Sequence, residues 1–301
     1  MIDLISSTTE QIYDATVPLI SKLLNKSSSW IHTQCSYNGK TLKKDGWLQN
    51  DHLMEIWFGS KMEPVDEDRL YSDELFVLAS LNSYLFWSRE YLHRLERFLP
   101  ILNEHTNGLL DSIETIVDFG GGIGLSSLHL HQLFQKLGYK ANIVYQNKQS
   151  HQSELAKMIC EETDVEINVG NLVTADAYFM SEVLEHFKKP VKFMYDLVEL
   201  TNGPKLVMHA SSFTQPNFPG HFPEYDRSLN DKPVLTKNKS INRYMNKVLY
   251  DNDYVNVEHV SLWNHRPQVF VKRSALRVPD DYTSNRVSLD PRWIAPWLKN
   301  D

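Results

Sequence analysis

The spacing of hydrophobic positions changes once along this chain. Up to about residue 108 they recur at helical intervals. Leu78, Leu81, Leu85, Leu92, Leu95 and Leu99 share one face, with Arg89, Glu90, Arg94 and Glu96 elsewhere on the cylinder. A helix is predicted from an N-cap at Ser72 to a stop at Pro100. An earlier helix is predicted from Ser7, with Glu10 completing a capping box and Pro18 kinking or interrupting it. Between them lies a polar segment carrying Trp30, Trp47 and Trp57. From about residue 113, short apolar runs alternate with amphipathic stretches. Strands are predicted at 114–119, 141–146, 165–169, 177–181, 205–210, 254–262 and 268–273, and helices at about 123–137, 152–162, 189–201 and 239–250. This alternation predicts an open, mostly parallel sheet of seven strands covered on both faces. The short turn around Asn264–Pro267 makes the last strand antiparallel. The expected division is a helical cap over 1–108, an α/β domain over 109–275, and a tail over 276–301 in which Trp293 and Trp297 dock on the body.

Composition narrows the class. Hydrophobic content of 42% and charged content of 23% in 301 residues are values of a globular chain. No apolar run reaches spanning length and no basic-then-apolar leader opens the sequence, so a cytoplasmic protein without a membrane span is expected. Cys35 and Cys160 lack zinc-site spacing and read as reduced thiols. A net charge of −7 makes nucleic acid an unexpected partner.

The chemistry begins at Ile116-Val117-Asp118-Phe119-Gly120-Gly121-Gly122-Ile123-Gly124, where a strand must turn sharply into a helix. The D-x-G-x-G-x-G spacing supplies positive-φ positions and lets backbone lie against a ligand beside a helix N-terminus. A dinucleotide fingerprint fails in both frames, because its third glycine would fall at Leu125 or Ser127. No Gly-Lys-Ser/Thr follows, which excludes a P-loop. The acid ahead of the glycines would repel phosphate and suits a ligand presenting a cationic amine and a sulfonium, S-adenosylmethionine.

With Phe179-Met180-Ser181-Glu182-Val183-Leu184-Glu185-His186-Phe187 closing the fourth strand, residues 113–273 resemble class I S-adenosylmethionine-dependent methyltransferases. The Asp-Phe before three glycines also resembles methyltransferases associated with surface-polysaccharide synthesis. The resemblance implies a Rossmann-like α/β fold in which Asp118, Gly120, Gly121, Gly122 and Gly124 line the methionine end of the cofactor, with Ser181 nearby. It also implies an acid at the end of the second strand for the ribose hydroxyls and one after the third for adenine. Here Gln146 and Asn171 stand at those places, uncharged acceptors that predict weaker cofactor binding.

Glu182 and His186 are candidate catalytic residues, since a neutral imidazole takes a proton near pH 7. Some relatives with E-x-x-E-H hold a divalent metal there, but no metal ligand is assigned here. Residues 211–238 form a long Pro- and aromatic-bearing connection expected to act as a lid, with His221 in it and His209 at the preceding strand end as further bases. The expected function is O- or N-methylation of a small-molecule or sugar-like substrate. The alternatives are a methyltransferase-like binding protein without turnover, and a metal-assisted RNA 2′-O-methyltransferase.

Overall fold

The computed structural model describes residues 2–37, 39, 42, 50–58, 67–200, 202–213, 218–263, 266–279 and 281–290. The expectations for Trp47, Trp293 and Trp297 lie outside the described residues.

Among the described residues six α-helices precede the sheet: α1 (Thr9–Leu24), α2 (Ser28–Gln34), α3 (Asn50–Phe58), α4 (Glu67–Ser72), α5 (Glu74–Ser83) and α6 (Arg89–Glu104). The α1 capping box uses Thr8 and Gln11, one residue later than expected, with Gln11 N–H on Thr8 Oγ1 at 3.2 Å and Thr8 N–H on Gln11 Oε1 at 2.8 Å. Neither proline ends its helix. Pro18 lies within α1 and Pro100 within α6. In both helices the buried face spans the proline, with Val17 before it and Ile20 and Leu24 after it in α1, and Phe98 and Leu99 before it and Leu102 after it in α6. That burial outweighs roughly 3 kcal/mol for a lost helical bond and ring clash. The helix expected from Ser72 starts instead after the Asp73 N-cap, and a π-helical turn at Tyr84–Ser88 joins α5 to α6.

The sheet holds β1 (Thr115–Phe119), β2 (Asn142–Asn147), β3 (Glu166–Val169), β4 (Ala177–Ser181) and β5 (Leu206–Ala210). A two-stranded hairpin follows, β6 (Glu224–Asp226) with β7 (Leu235–Lys237). The main sheet then resumes with β8 (Tyr254–Glu258), β9 (Gln268–Lys272) and β10 (Arg286–Ser288). Helices α7 (Leu125–Leu137), α8 (His151–Cys160), α9 (Pro190–Leu200) and α10 (Asn238–Asp251) fall within a residue or two of their predicted places. The strand order is β10-β8-β9-β5-β4-β1-β2-β3, with β9 antiparallel to both neighbours.

Among the described residues the sheet therefore has eight strands, not the expected seven. The extra one, β10, lies in the segment read as a tail and runs parallel to β8. It is bracketed by Asn256 N–H on the Asn285 carbonyl (2.9 Å) and Leu289 N–H on the Glu258 carbonyl (2.8 Å). Three residues are too few for alternation to register, but they cover backbone groups that an edge strand would leave unpaired. One buried cluster runs from Leu4, Ile12 and Leu95 to Ile116, Ile143 and Val255, so the amino-terminal helices and the sheet share a core. Among the described residues no helix is long and apolar enough to cross a membrane.

Candidate functional site

The turn after β1 is built by close contacts that demand glycine. Gly120 has φ +69°, and a Cβ there would stand 2.3 Å from Val183 Cγ2. At Gly121 a Cβ would meet Asp118 Oδ2 at 2.6 Å, and at Gly124 it would meet Ala156 of α8 at 2.8 Å. Gly122 is different: at φ +53° its nearest neighbour would be Ser80 Cβ at 3.7 Å, so its open side faces a cavity. Gly124 caps α7 with no side-chain hydrogen bond, leaving the first N–H groups of that helix at the turn.

Asp118 lies beneath this turn. It is 1% exposed, its Oδ2 accepts the Ser126 and Ser127 hydroxyls at 2.6 Å each, and it does not line the cavity. Burial pushes its pKa up to about 6, against the lowering effect of the two serines. Its geometry is that of a turn-organising carboxyl.

β1 stands between β4 and β2, where strand order reverses. The carboxyl ends of these strands open on one cavity of about 870 Å³, lined among others by Gly120, Gly121, Gly122, Gln146, Ser181, Glu182, His186 and His221. An open α/β sheet binds its ligand at such a crevice. Five parallel strands in the order 3-2-1-4-5, extended by an antiparallel β9 and then β8, decide the architecture. The fold is that of the class I methyltransferases.

In this methyltransferase fold the end of β2, where an acid was expected, carries an amide that is already engaged. Gln146 lines the cavity but is 1% exposed, and its amide is committed to the loop after β3. Nε2 donates to the Asn171 carbonyl (2.5 Å) and the Gly170 carbonyl (3.4 Å), while Oε1 accepts Val173 N–H (3.3 Å). Asn171 is exposed, and the cavity wall there is Gly170. Asn147 and Lys148 line the cavity next to it, and Lys148 pairs with Glu67 at 3.4 Å and stands 5.3 Å over the Tyr71 ring.

The methyltransferase strand β4 delivers the acidic end. Glu182 sits at φ +50°, an uncommon conformation for a non-glycine residue and one concentrated at functional sites. Its Oε1 accepts the Tyr91 hydroxyl of α6 at 3.0 Å. Burial and the neighbouring Glu185 charge hold the Glu182 carboxyl well above the usual carboxylate range. Glu185 is fully buried. Burial opposes its ionisation, but His221 and His186 outweigh it and keep the group below its ordinary value. Its Oε1 accepts Ser212 N–H at 3.0 Å and lies 4.0 Å from His221 Nε2. Glu185 Oε2 and His186 Nδ1 are buried with no hydrogen-bond partner. His186 is driven down to about 4, mainly by burial and further by His221, and is neutral at pH 7. Ser181 reaches across to the π-helical turn, its hydroxyl on Ser88 Oγ at 2.8 Å. His209 does not line the cavity: it is 2% exposed and stacks on Phe270 at 5.7 Å.

The amino-terminal helices roof the cavity through Leu53, Tyr71, Phe76, Tyr84 and Trp87. Fully buried Trp57 of α3 donates its indole N–H to the His221 carbonyl at 3.0 Å and meets Phe222 edge-on at 5.2 Å. The expected lid is thus held at His221, and Phe218 and Pro219 line the cavity beside it. Tyr91 and Arg266 carry no motif that sequence reasoning could have used, whereas Trp57 stood in the tryptophan-bearing segment and Glu185 inside E-x-x-E-H. Among the described residues no group of three or more His, Cys, Asp or Glu is close enough to hold a metal ion.

No protein-family model matches the chain, and neither does any curated protein. Among solved structures it is similar to the [4+2]-cyclase SpnF, at 16% identity over 38% of this chain and 44% of that one, with a TM-score of 0.31. An O-methyltransferase family protein from Burkholderia thailandensis shares 14% identity over 67% of this chain and 62% of that one, TM-score 0.38. The plantazolicin methyltransferase BamL, solved with a desmethylPZN analog and SAH, shares 12% over 73% and 94%, TM-score 0.39. The chain therefore spans less than two thirds of the first two. Likenesses this distant add nothing to the argument from strand order.

Proposed function

We propose that the chain is an S-adenosylmethionine-dependent methyltransferase acting on an oxygen or nitrogen of a small-molecule or sugar-like substrate. The observation that carries this reading is the direct contact between Gly120 and Val183, which joins the glycine turn and the Glu182–His186 segment in one cavity. The turn suits the cofactor: its open side at Gly122 and the uncapped start of α7 would receive the methionine end, with Ser126 and Ser181 beside it. The β2 end suits it less well, because the Gln146 amide is already engaged. When bound, S-adenosylmethionine supplies a sulfonium-activated methyl that an acceptor lone pair takes as the carbon–sulfur bond breaks, its electron pair staying on sulfur. The chain's own contribution is to orient the acceptor and exclude water under the roof of Tyr71, Phe76 and Phe218. Neutral His186 and the Glu182–Glu185 carboxyls are the groups able to hold or accept a proton there. We read the protein as cytoplasmic, in keeping with Cys35 and Cys160 being free thiols.

A second reading, a methyltransferase-like binding protein without turnover, is favoured by the engagement of Gln146. Calorimetry with S-adenosylmethionine and S-adenosylhomocysteine, with and without magnesium, tests both. Micromolar binding at one site is expected. No binding of either at near-millimolar ligand would overturn the methyltransferase reading.

A further inference from the structure

We infer that the methyl acceptor carries its accepting atom on a flat aromatic ring, and that this ring lies against Trp87. The inference rests on the proposed cofactor reading and narrows its substrate from small-molecule or sugar-like to an arene. The helical cap crosses the cavity from the glycine turn to the end of β4. Ser80 of α5 stands at the turn, its Cβ 3.7 Å from the place of a Cβ on Gly122. About two helical turns on, Ser88 meets Ser181 at the end of β4 (2.8 Å), and Tyr91 of α6 meets Glu182 (3.0 Å). Trp87, adjacent to Ser88, lines the cavity at that second end, where an acceptor would face the methyl group.

The backbone there is built to present these side chains. Tyr84–Ser88 is a π-helical turn, closed by the Arg89 N–H on the Tyr84 carbonyl. Its wider turn keeps residues five apart on one side, where an α-helix would rotate them away from each other. Ser83, Tyr84, Trp87 and Ser88 accordingly all line the cavity. Turns of this kind are rare and occur mostly at functional sites.

What the crossing offers a ligand is ring surface. The Tyr84 hydroxyl is taken by His129 Nδ1 at 3.0 Å. Ser80 Oγ donates to the Phe76 carbonyl at 3.0 Å and accepts the Gln152 amide, and Ser88 Oγ accepts the Ser181 hydroxyl. Trp87 differs from these neighbours. It is 38% exposed, and of the large hydrophobic side chains so exposed among the described residues it alone lines the cavity. Phe187 and Phe218 line the same space, and Tyr71 and Phe76 are held edge to face at 5.0 Å in its roof. Covering the bare indole removes apolar surface from water, and an aromatic partner adds stacking to that gain. A sugar ring would bring hydroxyls to a wall whose own hydroxyls are engaged, and each one left unpaired is costly. At about 870 Å³ the cavity lies toward the upper end of the roughly 300–1,000 Å³ of small-molecule sites, in keeping with two ligands side by side.

Calorimetry on the protein loaded with S-adenosylhomocysteine compares three probes. These are 2-naphthol, decahydro-2-naphthol, which keeps the carbon frame and hydroxyl without the flat ring, and methyl β-glucoside. 2-Naphthol should bind about two- to tenfold tighter than its saturated counterpart, the worth of ring stacking beyond area, and the glucoside should bind more weakly than either. The 2-naphthol proton resonances should also move upfield in the complex, the ring-current signature of a stacked indole. Trp87→Leu should erase both the preference and the shift, and Trp87→Phe should keep part of each, with S-adenosylhomocysteine affinity serving as the control for folding. Should the leucine variant lose that control, the wild-type resonances decide. Equal binding of the two naphthols, unmoved resonances, or tightest binding of the glucoside would overturn the inference and leave the cofactor reading standing. Failure of S-adenosylhomocysteine to bind would overturn the cofactor reading and this inference with it.

Discussion

The Tyr91 hydroxyl donates to Glu182 Oε1 across 3.0 Å and so ties helix α6 to the end of β4. Tyr91 is 3% exposed, and Glu182 is held at positive φ on the cavity wall. The amino-terminal helices therefore fix an acidic group that the sheet delivers. Tyr91→Phe should cost about 1 kcal/mol of stability, the net worth of one such bond. It should also raise the Glu182 carboxyl further, since the bond favours the ionised form. Denaturant midpoints and carboxyl titration by NMR check both effects, and an unmoved titration would separate α6 from the site.

Gly120 and Gly122 should fail in different ways. Gly120→Ala drives a Cβ to 2.3 Å from Val183 at φ +69°, combining overpacking with backbone strain. A loss of about 2–4 kcal/mol is expected. Gly122→Ala meets open space and bears only the cost of φ +53°, about 1 kcal/mol. It should nevertheless abolish cofactor binding, because its Cβ enters the cavity. Urea unfolding paired with S-adenosylhomocysteine calorimetry distinguishes the two, and equal stability loss in both variants would contradict the packing at Val183.

Asp118 predicts a pH dependence. Its folded pKa of about 6 lies above its ordinary 3.8, so between those values the folded chain binds more protons than the unfolded one. The contribution is therefore fully present below pH 4 and is lost as pH rises through 6. The stability of wild type minus that of Asp118→Asn should fall by on the order of 3 kcal/mol from pH 4 to pH 7. A flat difference would mean that the two serine hydroxyls fully compensate burial.

Gln146→Glu tests what the end of β2 does. Glutamate would lose the donor to the Asn171 and Gly170 carbonyls and turn a carboxylate toward them. Stability should drop by about 1–3 kcal/mol, and cofactor affinity should fall with the loop. Tighter binding would show that the new carboxylate had turned to the cavity and reached a diol.

The sequence by itself determined what is local. Seven strands and four helices of the α/β region follow from apolar spacing, and their ends lie within two residues of the predicted ones except that β8 stops at Glu258 rather than at 262. The D-x-G-x-G-x-G turn follows from the steric freedom of glycine, and Glu182 and His186 follow from where β4 must end. Tertiary structure decided the rest. Pro18 and Pro100 pass inside helices because burial on both sides of them exceeds the local penalty. β10 exists because β8 offers it an edge. Gln146 looked like a ribose acceptor, yet the loop after β3 uses its amide, and Asp118 looked like a ligand contact, yet Ser126 and Ser127 take it. Tyr91 and Glu182 are 91 residues apart, and Trp57 and His221 are 164 apart. Periodicity and turn chemistry are written over a few neighbouring residues. Which distant group claims a side chain's hydrogen bond depends on how whole segments pack, and that choice leaves no mark on the local pattern.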